Sequence, residues 1–490
     1  MAIETILVVA SVLLLVSILA SKISSRLGVP ALLLFLIVGM LAGSEGPGGI
    51  QFDDPELAQF LGIVALAYIL FSGGLDTDFQ DIRPVLGQGL ILATVGVLMT
   101  AGLVAVVANQ VLDFSLKESV LLASIMSSTD AAAVFAVLRG KNVRLKGHLK
   151  PLLELESGSN DPMAIFLTIG MITLLQEPEK SVFSLIPMFI QQMALGALFG
   201  YVTGRGLTVL LNWLRLEYDG LYSVVTIAAV MLTYGVTSVL GGNGFLAVYL
   251  AGLVLGNQTF IHKRSIKGFH DGLAWLMQIV MFLTLGLLVF PSELGPVIPE
   301  GLLLSIFLML VARPLAMFAT LVRSRMNLRE KVFVAWVGLR GAAPIILATF
   351  PLVAGLEQAD AIFNVVFFVV LTSVLVQGTS LAPVARWLGV DAPFVPKRAP
   401  RIELVPGAGV KNDLLELVIP DHSPVAGRRL VDIQLPRETL VVLIGREDDL
   451  VVPSGATTLN AGDTVLVLAE KSNLPQVRSL FNVPDGETGT

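Results

Sequence analysis

The chain contains no cysteine, which excludes disulfides, thiolate metal sites and a cysteine nucleophile. Its four histidines, His148, His262, His270 and His422, fall by hydropathy in loops or in the C-terminal tail, and this placement removes a buried imidazole as proton carrier. Without His or Cys in the apolar segments the usual nucleophile–base sets are missing, and Ser157 has only carboxylates as a base, so no enzyme is expected. No Thr-Val-Gly-Tyr-Gly-like run of filter carbonyls occurs, which weighs against the main alternative, a gated monovalent-cation channel with a ligand-sensing tail. Charge is also scarce: 14% of the 490 residues are charged and 54% hydrophobic, with a mean hydropathy of +0.81. That is the composition of a lipid-embedded chain with many spans and little soluble mass; nucleic acid is not an expected partner. The first segment opens on Glu4, not on a basic stretch, and carries no convincing cleavage site, so it reads as a retained helix.

Apolar runs of about 17 to 25 residues are long enough to span a bilayer. They predict helices near 3–20, 29–43, 57–74, 84–108, 118–138, 149–175, 183–212, 219–239, 244–258, 272–290, 300–321, 331–355 and 360–386, about thirteen in all. Alternate loops concentrate basic residues, among them Arg139, Lys141, Arg144, Lys146 and Lys150, then Lys263, Arg264 and Lys267, then Arg323, Arg325, Arg329 and Lys331. The intervening loops are acidic, at Glu45, Asp53, Asp54, Glu177, Glu293 and Glu357. Because cytoplasmic loops retain Lys and Arg, the N-terminus is expected outside and everything after residue 387 in the cytoplasm, which places the chain in the cell (inner) membrane. Residues 1–390 form the predicted transmembrane domain and 391–412 a Pro-rich, charged linker. Beyond it, Leu414–Ile419, Leu440–Gly445 and Thr464–Ala469 are short apolar runs between turn signals, predicting a small cytoplasmic β-containing domain over 413–485.

Two spans are interrupted by polar, Gly or Pro residues. One carries Ser127-Ser-Thr129-Asp130, whose Thr and Asp are helix-capping types; the other carries Gly338-Leu-Arg340-Gly341-Ala-Ala-Pro344. The first break reads either as an unwound ion site or as a structural cap. Two such breaks in corresponding halves point to inverted repeats with crossed broken helices and a midplane site. Between them, Glu156-Ser-Gly-Ser-Asn-Asp161-Pro162 places two carboxylates inside a span, where an ionisable group is costly unless it is paired, protonated or lines a cavity. Five residues separate them, about 140° around a helix, so they face different ways and do different jobs. Glu156 is expected to pair with Arg340, leaving Asp161 as the titratable ligand. Arg313, before Pro314, is a second intramembrane base; the sequence assigns it no partner, and it reads alternatively as a snorkelling residue. Ser157 and the carbonyl or hydroxyl of Thr129 would complete with Asp161 an all-oxygen shell for a hard monovalent cation. Asn160 holds helices by hydrogen bonding, and Asp130 is expected to compensate partial charges at the crossed helix ends. Proton and cation competing for one carboxylate amounts to electroneutral antiport; no cofactor is expected, only transported K⁺ or Na⁺ and H⁺. Gly252 and Gly256 form a GxxxG pattern, and Gly73 and Gly74 read as close-packing glycines.

The Thr-Asp pair, Glu-Ser-x-x-Asn-Asp-Pro and Gly-x-Arg-Gly-Ala-x-Pro, in that order, resemble the monovalent cation/proton antiporter-1 family, the NhaP-type exchangers. Phe71-Ser-Gly-Gly-Leu75 and Gly244-Phe-Leu-Ala-Val-Tyr-Leu-Ala-Gly-Leu253 extend the resemblance. It implies a thirteen-helix homodimer with elevator-like alternating access. It implies also that Asp161 binds the ion and proton, with Thr129, Glu156, Ser157 and Asn160 around it and Arg340 bridged to Glu156. The tail, through Leu417-Val-Ile-Pro-Asp-His-Ser-Pro-Val-Ala-Gly427 and Leu459-Asn-Ala-Gly-Asp463, is similar to the RCK-C (TrkA-C) domain, which tilts the expectation towards the potassium/proton antiporter subgroup. That subgroup often carries a further C-terminal domain that this sequence does not display. The Gly-rich dinucleotide fingerprint is missing, so NAD binding is not expected; a small regulatory ligand and plain dimerisation are both readings of the tail.

Overall fold

The computed structural model describes residues 3–27, 30–141, 143–392, 412–420, 423–446 and 449–481. The chain divides into two compact units, Met1–Pro393 and Phe394–Thr490. The predicted linker lies almost wholly outside the described residues.

The first unit is helical: α1 Ile3–Leu27, α2 Ala31–Ala42, α3 Pro55–Asp76, α4 Phe79–Val111, α5 Leu116–Ile125, α6 Ala131–Gly140, α7 Leu149–Gln176, α8 Val182–Leu214, α9 Asp219–Val239, α10 Gly244–Gly256, α11 Lys263–Leu287, α12 Ile298–Thr320, α13 Leu328–Trp336, α14 Ala342–Val353 and α15 Ala359–Leu388. Eight of them, α3, α4, α7, α8, α9, α11, α12 and α15, are long and apolar enough to cross a membrane. The two interrupted spans are each two half-helices, α5/α6 and α13/α14, and both pairs start from a capping box, Ser115 with Glu118 and Asn327 with Glu330. Likewise α4 and α12 each contain a π-turn, Leu92–Gly96 and Leu308–Ala312, an irregularity often found beside functional sites. These paired features are the internal repetition that the two sequence breaks foreshadow.

Burial sorts the helices. In its most apolar stretch α7 is 78% buried and α8 only 11%, so α7 is the central element and α8 presents most of its surface outward. The short α10 packs against both α3 and α8. Its GxxxG pattern is a seam: a Cβ at Gly252 would press on the Phe71 carbonyl oxygen, one at Gly256 on that of Leu75, and one at Gly74 on that of Tyr249. Backbone therefore meets backbone, the contact that small residues permit between helices in lipid. Gly73 differs from expectation, because nothing lies within 4 Å of where its Cβ would be. Near the end of the unit, β1 (Arg144–Leu145) pairs antiparallel with β2 (Asp391–Ala392), tying the α6–α7 connection to the residues after α15.

The histidine placement needs correction. α11 starts at Lys263, not near 272, and His270 lies within it, 1% exposed, its Nε2 2.7 Å from Thr226 Oγ1 and its ring against Phe71. The polar first turns of α11 depress hydropathy and hide the helix from a window, although its amphipathic spacing continues.

The second unit is a four-stranded antiparallel sheet of β3 Asn412–Val418, β4 Thr439–Arg446, β5 Asp449–Val451 and β6 Thr464–Glu470, in the order β3-β6-β4-β5, with helix α16 Leu474–Phe481. Leu417, Ile444, Val465 and Val467 pack with Val477 and Phe481 as its core. Asp463 is buried and accepts from Arg446 Nε and Nη2 at 3.0 and 2.7 Å, a bidentate pair that fixes the turn before β6.

The α3–α10 seam yields a contrast. Gly252→Val should destabilise the folded protein by roughly 1–3 kcal/mol or more through overpacking. Gly73→Ala should be neutral or stabilising, because it only replaces a flexible helix residue. Thermal unfolding of both variants in detergent checks this; equal melting temperatures would contradict the seam.

Candidate ion-binding site

The extended segments between α5 and α6 and between α13 and α14 meet: the Asp130 backbone N–H donates to the Leu339 carbonyl at 2.9 Å. Each break leaves carbonyls without partners at one half-helix end and N–H groups at the other, which an apolar interior does not tolerate. Asp130 caps α6, its Oδ1 accepting from Ala133 N at 2.9 Å, and its carboxylate also lies over Gly341, where no Cβ would fit. Arg340 does the complementary task. Its Nη1 donates to the carbonyls of Ser127 and Ser128, both at 2.6 Å, at the C-terminal end of α5, where a cation also suits the helix dipole. Ser373 Oγ accepts from the Arg340 backbone N–H at 3.0 Å and donates to Gln377 Oε1, while Gln377 Nε2 donates to the Trp336 carbonyl at the end of α13.

The expected pairing of Arg340 with Glu156 is overturned. Glu156 Oε1 lies 2.5 Å from Arg313 Nη1, and both side chains are almost fully buried, at 2% and 4% exposure. Arg313 follows the π-turn of α12, and Gly338 leaves room for it, a Cβ there falling 3.1 Å from its Nε. The physical reason is division of demand. The carbonyls at the end of α5 need a multiple donor and take Arg340, whereas Arg313, which reaches one carbonyl, that of Val337 at 3.4 Å, needs a carboxylate to neutralise it, and α7 presents Glu156. Arg313 does not snorkel.

On α7, the residues after Glu156 hold the first break. Ser157 Oγ donates to the Thr129 carbonyl and accepts from the Ala131 N–H, both at 2.9 Å. Asn160 Nδ2 donates to Thr129 Oγ1 at 2.5 Å, and its Oδ1 accepts from the Thr129 N–H at 3.4 Å. Thr129, Ser157 and Asn160 are therefore joined to one another, as a clamp on the break. Asp161, 6% exposed, has a different partner: the Ser128 hydroxyl donates to its Oδ1. The sequence shows Ser128 within the polar run but gives no sign that it, of the run's hydroxyls, meets Asp161. Asn243 was missed as well. It caps α10 and donates to the Pro162 carbonyl at 2.9 Å, fixing α7 just beyond Asp161. A cavity of about 10 Å³, close to the least that holds one water, is lined by Thr129, Asp130, Leu153, Glu156, Ser157 and Val337. Asp161 does not line it.

The corrected ion pair makes a prediction. Glu156→Ala strands a buried guanidinium and should cost about 3–5 kcal/mol of stability, and Arg313→Ala should cost a similar amount. The double variant should fall well short of the sum, because neither charge is then left alone. Melting temperatures in detergent measure all three; additive losses would exclude the pair.

The comparisons with known proteins agree with this architecture. Residues 11–387 match the transmembrane sodium/hydrogen exchanger family and residues 414–482 the TrkA-C domain. The chain is 41% identical over 485 residues to the K(+)/H(+) antiporter NhaP2 of Shewanella sp. strain ANA-3, covering 98% of this chain and 84% of that protein. It is 39% identical over 484 residues to the K(+)/H(+) antiporter NhaP of Alkalimonas amylolytica, with the same coverage. The solved structure of the sodium proton antiporter MjNhaP1 from Methanocaldococcus jannaschii at pH 8 superposes with a TM-score of 0.70 at 22% identity, over 79% of this chain and 99% of that one, and shares the fold. With crossed half-helices around a buried carboxylate and a family match over most of its length, the chain belongs to the sodium/hydrogen exchanger family of multi-pass membrane proteins and carries a C-terminal TrkA-C domain.

Proposed function

We propose that this protein is a secondary active transporter exchanging a monovalent cation, K⁺ in preference to Na⁺, for a proton, one for one and without net charge movement. The observation that carries the reading is the uncommitted state of Asp161. Glu156 is taken by Arg313, Asp130 by the N-terminus of α6, and Asp161 alone among these three acids meets only a neutral hydroxyl. A carboxylate so placed is costly while it is charged and bare, and either a proton or a cation relieves that cost. Occupation by one excludes the other, so the two are exchanged. Asp161 is the proton- and cation-binding residue. Ser157 and Thr129 offer further oxygen ligands, Asn160 holds Thr129, Glu156 and Arg313 fix α7 against α12, and Asp130 with Arg340 compensates the crossed helix ends. The preference for K⁺ rests on the names of the two relatives that match along nearly the whole chain.

In this reading residues 1–390 are the exchanger, 391–412 the linker and 413–485 a cytoplasmic regulatory domain that answers a small ligand. The protein is a homodimer in the cell (inner) membrane with its N-terminus outside; transport, not enzymatic chemistry, is its activity.

Purified protein in proteoliposomes with an imposed pH gradient tests the reading. Adding K⁺ should collapse the gradient, a membrane potential alone should drive no flux, and Asp161→Asn should abolish exchange. Retained exchange in that variant would remove Asp161 from the site, and potential-driven flux would rule out one-for-one stoichiometry.

A further inference from the structure

The two residues at the centre of the first break are held in different ways. Thr129 is tied at its N–H, carbonyl and hydroxyl to Asn160 and Ser157. Ser128 is anchored only through its backbone, its carbonyl accepting from Arg340 Nη1 at 2.6 Å, and its side chain is spent on Asp161. Both Ser128 and Asp161 are buried, at 0% and 6% exposure. A serine hydroxyl has one donor hydrogen and two acceptor lone pairs on a rotor, so one atom can serve two states. With the carboxylate bare, the hydrogen points at it in a charge-assisted bond. With a cation on the carboxylate, rotation about the C–O bond turns a lone pair to the ion instead.

From this arrangement we propose that Ser128 is a working member of the ion site: its hydroxyl holds the empty Asp161 carboxylate and then becomes an oxygen ligand of the bound monovalent cation. The inference rests on Asp161 being the exchange site. Arg340 positions Ser128 through its carbonyl, so a base far from the ion by sequence sets the register of the ligand. The clamped Thr129 gives the break a fixed point about which only the serine hydroxyl needs to turn. Removing the hydroxyl takes a ligand from the cation and a hydrogen bond from the carboxylate. The second loss favours the protonated form, so the cation competes only at higher pH.

The full-length Ser128→Ala, Ser128→Thr and Ser128→Cys variants in the same proteoliposome assay test this. Ser128→Ala should raise the apparent KM for K⁺ about tenfold or more, as expected for loss of a bond to a charged group. It should move the acidic limb of the pH profile upward by about one unit. Ser128→Thr, which keeps the hydroxyl, should restore both. A Ser128→Ala protein with the wild-type melting temperature, KM and pH profile would overturn the proposal. Should that variant fail to fold, Ser128→Cys, of similar volume but a weak donor and a poor ligand for a hard cation, takes its place, and wild-type KM and pH profile there overturn it equally. Failure of the wild-type protein itself to exchange K⁺ or Na⁺ for protons would instead refute the function on which the inference stands.

Discussion

An apolar interior does not forgive unsatisfied backbone groups, and two helices here stop and restart within it. The structure meets that constraint at one crossing. Leu339 and Asp130 share a backbone hydrogen bond, Asp130 supplies negative charge to α6, and Arg340 supplies donors to the carbonyls that end α5. The opposite charges sit at the helix ends whose dipoles they suit.

The crossing explains the division of labour along α7. One helix supplies, in six residues, a carboxylate that neutralises a buried arginine, a serine and an asparagine that grip the opposite break, and a carboxylate left without a charged partner. In this structure the first three are engaged with Arg313 and Thr129. They leave Asp161 as the one of these two α7 carboxylates whose partner carries no charge. The π-turns of α4 and α12 fit the same picture, since the irregularity in α12 comes immediately before Arg313. Pro162 follows Asp161, and its carbonyl is held by Asn243 from the start of α10, which is itself seated on α3 by glycines. A glycine seam and one side-chain hydrogen bond thus connect α3 to the residue beside Asp161.

Much of this was legible before any coordinates. The spans, the two breaks and the placement of Asp161 follow from hydropathy and from the rarity of charge in apolar segments. Other particulars were not. Pairing Arg340 with Glu156 was reasonable from charge alone, yet sequence lists bases without saying which faces a carboxylate and which faces carbonyls. His270 was assigned to a loop because charged first turns masked a helix that buries it against Phe71 and Thr226. Ser128 carries no assignment from sequence, whereas the path of the break turns its hydroxyl onto Asp161.

The sequence by itself determined the class of protein, its multi-pass helical character with two interrupted spans, its small β-containing tail and the short list of polar residues that an apolar chain would not otherwise keep. These depend on composition and on periodicity, which a linear chain displays in full. Tertiary structure alone decided the partners, Arg313 for Glu156, the α5 carbonyls for Arg340 and Ser128 for Asp161. Partnership depends on how half-helices cross and which way each side chain turns, and those are set by residues far apart in the chain packing at once.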